Sequence, residues 1–283
     1  MILYKKATDI RKILSEKSDS GQTIGFVPTM GALHAGHLDL IHHSKLNNNI
    51  TVCSIFVNPT QFNDPKDFEK YPVTLDNDLY LLEKAGCDLV FLPSVAEIYP
   101  SGTQNPHKYD LGTLETLLEG KYRPGHFQGV CQVVHRLLDI IQPDTLFLGQ
   151  KDYQQTRVIR KMLTQLPYSV QIQIVPTFRD ASGLALSSRN LRLTDAQKKA
   201  ATGLYHSLRY LKENLEPGDL TPLLTRAKNI VTDAGFASID YLSVASMETL
   251  EEIPVWDGQT PLIALGAAFM GEVRLIDNLI LYP

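Results

Sequence analysis

Short apolar runs alternate with amphipathic stretches through the first two thirds of the chain. Residues 23–28 (TIGFVP), 51–57 (TVCSIFV), 88–93 (DLVFLP), 144–149 (DTLFLG) and 170–175 are short and rich in apolar residues. That pattern predicts strands buried on both faces. Between them, residues 37–46 place Leu38, Ile41 and Leu46 at approximately helical spacing, and residues 75–84 read as a helix stopped by Gly86. Residues 127–141 put Val130, Val133, Val134, Leu137, Leu138 and Ile141 largely on one helical face, and residues 153–166 read as a further helix. Strands alternating with helices predict a parallel sheet covered on both sides. Right-handed crossovers make it a doubly wound, Rossmann-like α/β domain.

The pattern changes near Pro176. DASGLALSSRNLRL is a polar, glycine-containing loop, and Thr194 is placed to cap a helix over residues 196–214. Residues 217–219 (PGD) break that helix, a second helix over 220–234 ends at Gly235, and residues 239–245, 261–269 and 273–281 are strand-like. Helices followed by strands predict a smaller α+β domain. The expected division is 1–176 and 177–283.

Composition narrows the functional classes. The 283 residues carry 27 Lys and Arg against 31 Asp and Glu, a net charge of −4, with 43% hydrophobic and 20% charged residues. This is the composition of a globular protein with a sizeable core. A near-neutral balance gives no basic footprint for nucleic acid, and no apolar run approaches the ~20 residues that cross a bilayer. The first residues, MILYKKATDI, lack the apolar core of a secretory signal. Cys53, Cys87 and Cys131 stand too far apart in sequence for a metal knuckle or a disulfide framework. A reduced, cytoplasmic setting is expected.

Three segments carry the chemistry. PTMGALHAGHLDLI follows the first buried strand and opens a helix, the place where open α/β sheets bind ligands. His34 and His37, three residues apart, share a face there, and Gly36 clears space for a phosphate to approach the backbone. The positive helix end favours an anion, and two imidazoles supply donors to it. The same spacing is that of a metal half-site, although no third ligand is obvious nearby. LGQKDYQQ repeats the strand-end, helix-start geometry. Lys151 there is a compact point charge for phosphate and Gln155 a polar contact for a small substrate. Lys151 and Asp152 also fit as solvated first-turn charges. In GLALSSRN, Ser187, Ser188 and Arg189 offer two hydroxyls and a guanidinium to phosphate oxygens. Elsewhere, Asn58 and Gln61 in FVNPTQF can hydrogen-bond a hydroxy acid without adding charge, and Asn58 also fits turn chemistry. Tyr71 and Asp78 in YPVTLDNDL and Arg123 in KYRPGHFQGV are further candidates, Asp78 for magnesium and Arg123 for an anionic group, although Asp76 and Asp78 equally fit a helix start and Arg123 a loop charge. No covalent nucleophile is evident.

PTMGALHAGH, FVNPTQF, YP-x-TLDNDL, RPGHFQGV, LGQKDYQQ and GLALSSRNLRL together resemble the pantoate–β-alanine ligases, in order and approximate spacing over nearly the whole chain. The resemblance implies an H-x-G-H nucleotidyltransferase with a Rossmann N-terminal domain and a smaller C-terminal lid, usually a homodimer. It implies Mg-ATP-dependent activation of (R)-pantoate to an enzyme-bound pantoyl adenylate, then attack by β-alanine with release of AMP. Carried over position by position, Met30, Gly31, Ala32, Leu33, His34, Ala35, Gly36 and His37 form the ATP loop, with His37 the proton-donor position. Gly149, Gln150, Lys151, Asp152, Phe178, Leu186, Ser187, Ser188 and Arg189 complete the nucleotide contacts. Gln61 and Gln155 match pantoate ligands, with Asn58, Tyr71 and Arg123 as further substrate contacts, and Asp78 the magnesium-side acid. Asn77 stands where some members carry Asp. The competing readings are a nucleotidyltransferase that leaves a stable nucleotidyl product and a nucleotide-binding module without catalysis.

Overall fold

The computed structural model describes residues 1–103 and 107–283. In chain order the first part runs β1 (Ile2–Tyr4), α1 (Ala7–Asp19), β2 (Ile24–Thr29), α2 (Ala35–Asn47), β3 (Ile50–Ile55), α3 (Pro65–Glu69), α4 (Leu75–Lys84) and β4 (Leu89–Phe91). It continues through α5 (Val95–Ile98), α6 (Glu119–Tyr122), α7 (His126–Ile141), β5 (Thr145–Gly149), α8 (Tyr153–Leu163) and β6 (Gln171–Val175). Six strands form one sheet in the order β1-β4-β3-β2-β5-β6, and every pair is parallel. The chain leaves β2 toward β3 on one side and returns as β5 on the other. The carboxyl ends of β2 and β5 therefore flank the topological switch point, where a crevice opens.

Alternate residues of these strands feed two cores. Phe26, Val52, Leu146 and Leu148 pack on one face with residues of α1, α7 and α8, while Val27, Cys53 and Phe147 pack on the other with Leu40, Ile41 and Leu82 of α2 and α4. Burial on both faces explains why the strands read as continuous apolar runs. At the α7 contact, a Cβ on Gly129 would come within 2.2 Å of the Thr60 carbonyl oxygen. Only glycine lets α7 press against the turn that carries Gln61.

The remaining elements are α9 (Asp195–Glu213), β7 (Gly218–Asp219), α10 (Thr221–Asp233), β8 (Ser238–Ser246), β9 (Val255–Trp256), β10 (Leu262–Met270) and β11 (Val273–Tyr282). β8, β10 and β11 form an antiparallel sheet with β10 central, and α9 and α10 share a separate core with it. Thr194 caps α9, its hydroxyl accepting from Gln197 N while the Gln197 side chain accepts from Thr194 N. The fold is thus a Rossmann-like α/β core followed by a smaller part with antiparallel strands. A fourth apolar cluster joins the two: Leu118 and Tyr153 meet Ala245, Leu250, Ile263 and Leu265. Among the described residues, no helix is long and apolar enough to cross a membrane.

Candidate active site

The crevice at the switch point is a cavity of about 230 Å³. β2 delivers Met30 to it, and the turn that follows is held open from below. Gly31 and Ala32 both have positive φ, 80° and 49°. Such a pair of left-handed residues is unusual and turns successive backbone N–H groups the same way. The Asp78 carboxylate receives them, Oδ2 from Ala32 N at 2.9 Å and Oδ1 from Leu33 N at 2.8 Å, with Thr74 Oγ1 also donating at 2.9 Å. Asp78 is 1% exposed and does not line the cavity. This corrects its placement as a magnesium ligand: its oxygens are consumed in shaping the loop.

α2 then begins at His34, and the two histidines cap it reciprocally. Gly36 N donates to His34 Nδ1 at 3.2 Å, and His34 N donates to His37 Nδ1 at 3.3 Å. An imidazole whose Nδ1 accepts carries its proton on Nε2. Burial, and then the charges of the other ring and of Lys151, hold His34 down at about 2, and burial with Lys151 holds His37 at about 4. Both rings are therefore neutral donors at pH 7. They lie 4.0 Å apart between centroids, and both line the cavity.

β5 ends at Gly149; the turn after it presents Lys151 and Asp152, and the first turn of α8 presents Gln155, to the same cavity. Its backbone is gripped from the C-terminal part: Asn278 Nδ2 donates to the carbonyls of Gln150 (2.9 Å) and Lys151 (2.8 Å). Gln150 itself turns away, its Nε2 donating to Asn278 Oδ1. Next to Asn278, Asp277 makes a bidentate pair with Arg179 at 2.6 and 2.9 Å, which anchors the start of the third segment. That segment brings Phe178, Leu186, Ser187, Ser188 and Arg189 to the cavity wall. Ser188 is 8% exposed and donates its hydroxyl to Ala32 O at 3.0 Å. Its proton ties the third segment to the first and is not free for phosphate. Leu33, Ala35 and the backbone-bound Gly31 and Ala32 shape the loop without lining the cavity.

A further part of the cavity wall carries Asn58, Gln61, Arg123 and His126. Gln61 Nε2 lies 3.2 Å from Met30 Sδ, and its Oε1 accepts from Asn58 Nδ2 at 3.1 Å. Asn58 lines the wall but is 1% exposed, and its own carbonyl oxygen accepts from Tyr99 and Thr60. It holds Gln61 and has little left to offer a ligand. His126 is a site residue that sequence reasoning does not single out, although it sits in the RPGHFQGV motif. It pairs with the Gln61 carbonyl through Nδ1 (2.8 Å) and with Arg123 Nη1 through Nε2 (3.2 Å), and burial with the Arg123 charge lowers it to about 3. Arg123 is braced by Glu119, which also takes Arg274 Nη2 and Nη1 at 2.7 and 2.8 Å and the Tyr241 hydroxyl at 2.8 Å. Asp277, Asn278 and Arg274 leave one legible sign, charged or amide residues inside the apolar strand RLIDNLIL. Among the described residues, no group of three or more His, Cys, Asp or Glu is arranged to hold a metal ion.

The arrangement brings phosphate donors and neutral amides to one cavity. The family model described as Pantoate-beta-alanine ligase matches residues 2–280. The chain is 42% identical over 283 residues to the pantothenate synthetase of Cytophaga hutchinsonii and 44% identical over 285 residues to that of Leptospira biflexa, covering 99% of each chain in both cases. It superposes on the crystal structure of pantothenate synthetase from Thermus thermophilus with a TM-score of 0.91 at 39% identity, covering all of both chains. It superposes on the pantoate-beta-alanine ligase of Francisella tularensis, complexed with beta-gamma ATP and beta-alanine, with a TM-score of 0.84 at 37% identity over 99% of this chain and 97% of that one. With donors for phosphate oxygens and amides for a polar substrate facing one crevice, and with likeness along its whole length, this chain belongs to the pantoate–β-alanine ligase family.

Proposed function

We propose that this enzyme condenses (R)-pantoate with β-alanine at the expense of ATP, through a pantoyl adenylate, releasing AMP and diphosphate. The observation that carries the reading is the single cavity shared by two neutral imidazoles, Lys151 and the amides of Gln61 and Gln155. In the first step a pantoate carboxylate oxygen bonds to the α-phosphorus, and the bond from that phosphorus to the bridging oxygen of the diphosphate breaks. Negative charge gathers on phosphate oxygens. The Nε2–H groups of His34 and His37, the Lys151 amine, the Ser187 hydroxyl and the Arg189 guanidinium meet it as donors. His37 acts by hydrogen bonding, since the attacking carboxylate brings no proton. Gln61 and Gln155 offer the hydroxy acid uncharged hydrogen-bonding groups, with the Arg123 guanidinium close to the Gln61 carbonyl. In the second step the neutral amine of β-alanine bonds to the acyl carbon, the bond to the phosphate oxygen breaks, AMP leaves, and the proton shed by the nitrogen passes to solvent.

Magnesium belongs to this proposal as the ion that arrives with ATP. It prefers one or two carboxylates together with substrate phosphates, and the carboxylate that lines the cavity is Asp152. Asp152 would hold the ion, which neutralises phosphate charge when bound. Residues 1–176 serve as the binding unit and 177–283 as the lid, which keeps water from the mixed anhydride. A homodimer in the cytoplasm completes the reading, and buried, unpaired Cys53, Cys87 and Cys131 fit a reducing compartment.

The test supplies ATP, magnesium, (R)-pantoate and β-alanine and omits each in turn while following diphosphate and AMP. About one diphosphate per site should appear without β-alanine, and AMP should require the amine. A stable nucleotidyl product would instead indicate the related nucleotidyltransferase chemistry. Gln155→Ala should raise the KM for pantoate by about three- to tenfold, the worth of one hydrogen bond. If only the KM for ATP moved, Gln155 would belong to the nucleotide.

A further inference from the structure

The guanidinium groups of Arg189 and Arg192 close on a single carboxylate of α3. Asp67 Oδ2 accepts from Arg189 Nη2 at 2.7 Å, and its Oδ1 accepts from Arg189 Nε and from Arg192 Nη1, both at 3.4 Å. Two oxygens on the Nε–Nη2 edge of a guanidinium make the same fork that a phosphate group makes. Arg189 stands in the wall between the site cavity and a neighbouring one of about 550 Å³, which Asp67, Lys70 and Glu272 also line. The Asp67 side chain is 27% exposed and its helix is five residues long, so the carboxylate can swing away at modest cost.

We propose that Asp67 is a competing anion for Arg189: it fills the guanidinium fork when no nucleotide is present, yields it to phosphate oxygens when ATP binds, and takes it back as diphosphate leaves. The proposal rests on the reading of Arg189 as a phosphate ligand. Its consequence is a trade. A ligand shifts an exchange only by its differential affinity, so whatever Asp67 subtracts from ATP binding it subtracts from diphosphate binding too. The residue weakens capture of the substrate and speeds departure of the first product, which must clear before the amine attacks. A static brace for Arg189 acts with the opposite sign, because removing it loosens the arginine and weakens both ligands.

The test measures ATP binding and diphosphate inhibition of adenylation in the full-length enzyme and in Asp67→Asn. Both constants should fall on the order of fivefold, about 1 kcal/mol by the affinity relation, and single-turnover diphosphate release should slow by a similar factor. Asp67→Glu, which keeps a carboxylate on the same helix, should restore values near the starting ones. Glu272→Gln removes a carboxylate that pairs at 3.2 Å with the exposed Lys70 and should change neither constant. Unchanged or weaker ATP binding in Asp67→Asn overturns the proposal, as does equal tightening by Glu272→Gln, which would make bulk charge the cause. If the unaltered enzyme bound no ATP, the functional reading itself would fall, a result distinct from either.

Discussion

Lys151→Ala is expected to cut single-turnover formation of the acyl adenylate by ~10²-fold or more, the usual effect of deleting a transition-state donor. The structure gives three reasons. Its charge is felt at both imidazoles, where it helps to hold them neutral, so it lies in the same electrostatic field as the phosphate donors. Its carbonyl is held by Asn278, which fixes the turn and aims the side chain from a rigid base. No carboxylate among the described residues pairs with its amine, so the charge is left for a ligand. For that last reason the alanine variant should unfold at the same temperature as the parent, which separates a lost donor from a lost fold. Lys151→Arg should recover only part of the rate, because a planar fork does not reproduce a compact ammonium. Rapid-quench measurement of α-labelled adenylate decides the matter. A normal first turnover in the alanine variant would remove Lys151 from the chemistry.

What could be read from the sequence follows the range of the interactions. β2 through β5 announced themselves because burial on both faces makes each a local apolar run, and the edge strand β6 through its Ile172, Ile174 and Val175. β1 did not: it is three residues long, and its partner is β4, with Ile2 opposite Leu89. The four-residue helices α5 and α6 are too short to show a helical period. The same rule governs the site. His34, His37, Lys151 and Gln155 were legible because each stands where an apolar run meets a helix start. The residues that hold them were not, since their partners are remote: Glu119 with Arg274 spans 155 positions, and Ser188 with Ala32 spans 156. Asp78 shows how composition misleads. An acidic residue near a phosphate loop suggests a metal, yet here two backbone N–H groups required an acceptor and the carboxylate supplied it.

Glu119→Ala should be the most damaging substitution for stability, at a cost of about 3–5 kcal/mol, the range for removing one member of a buried ion pair. Glu119 is buried and bridges the two parts of the chain through Arg274 and Tyr241 on one side and Arg123 on the other. Its loss leaves Arg274 with Asp240 alone and Arg123 without its brace, so two guanidinium groups lie under-compensated in a partly desolvated joint. The pH dependence gives the sign. Burial alone would raise the Glu119 carboxyl, but the hydrogen bonds and charge of Arg274 outweigh it and hold it at about 2, below its ordinary 4.5. A carboxyl lowered on folding contributes fully above pH 4.5 and loses that contribution as the pH falls toward 2. The buried histidines act in an earlier window. His126, neutral in the fold and lowered from 6.5 to about 3, makes stability decline as the pH drops below 6.5, because the unfolded chain takes up the proton first. Urea denaturation of the parent should therefore show a decline that starts near pH 6.5 and steepens below 4.5. In Glu119→Ala the whole curve should sit lower and the early decline should persist, with the steepening below pH 4.5 reduced. A variant within about 1 kcal/mol of the parent, or one that kept the full low-pH steepening, would show that the joint between the two parts is held by the Leu118–Ile263 apolar cluster instead.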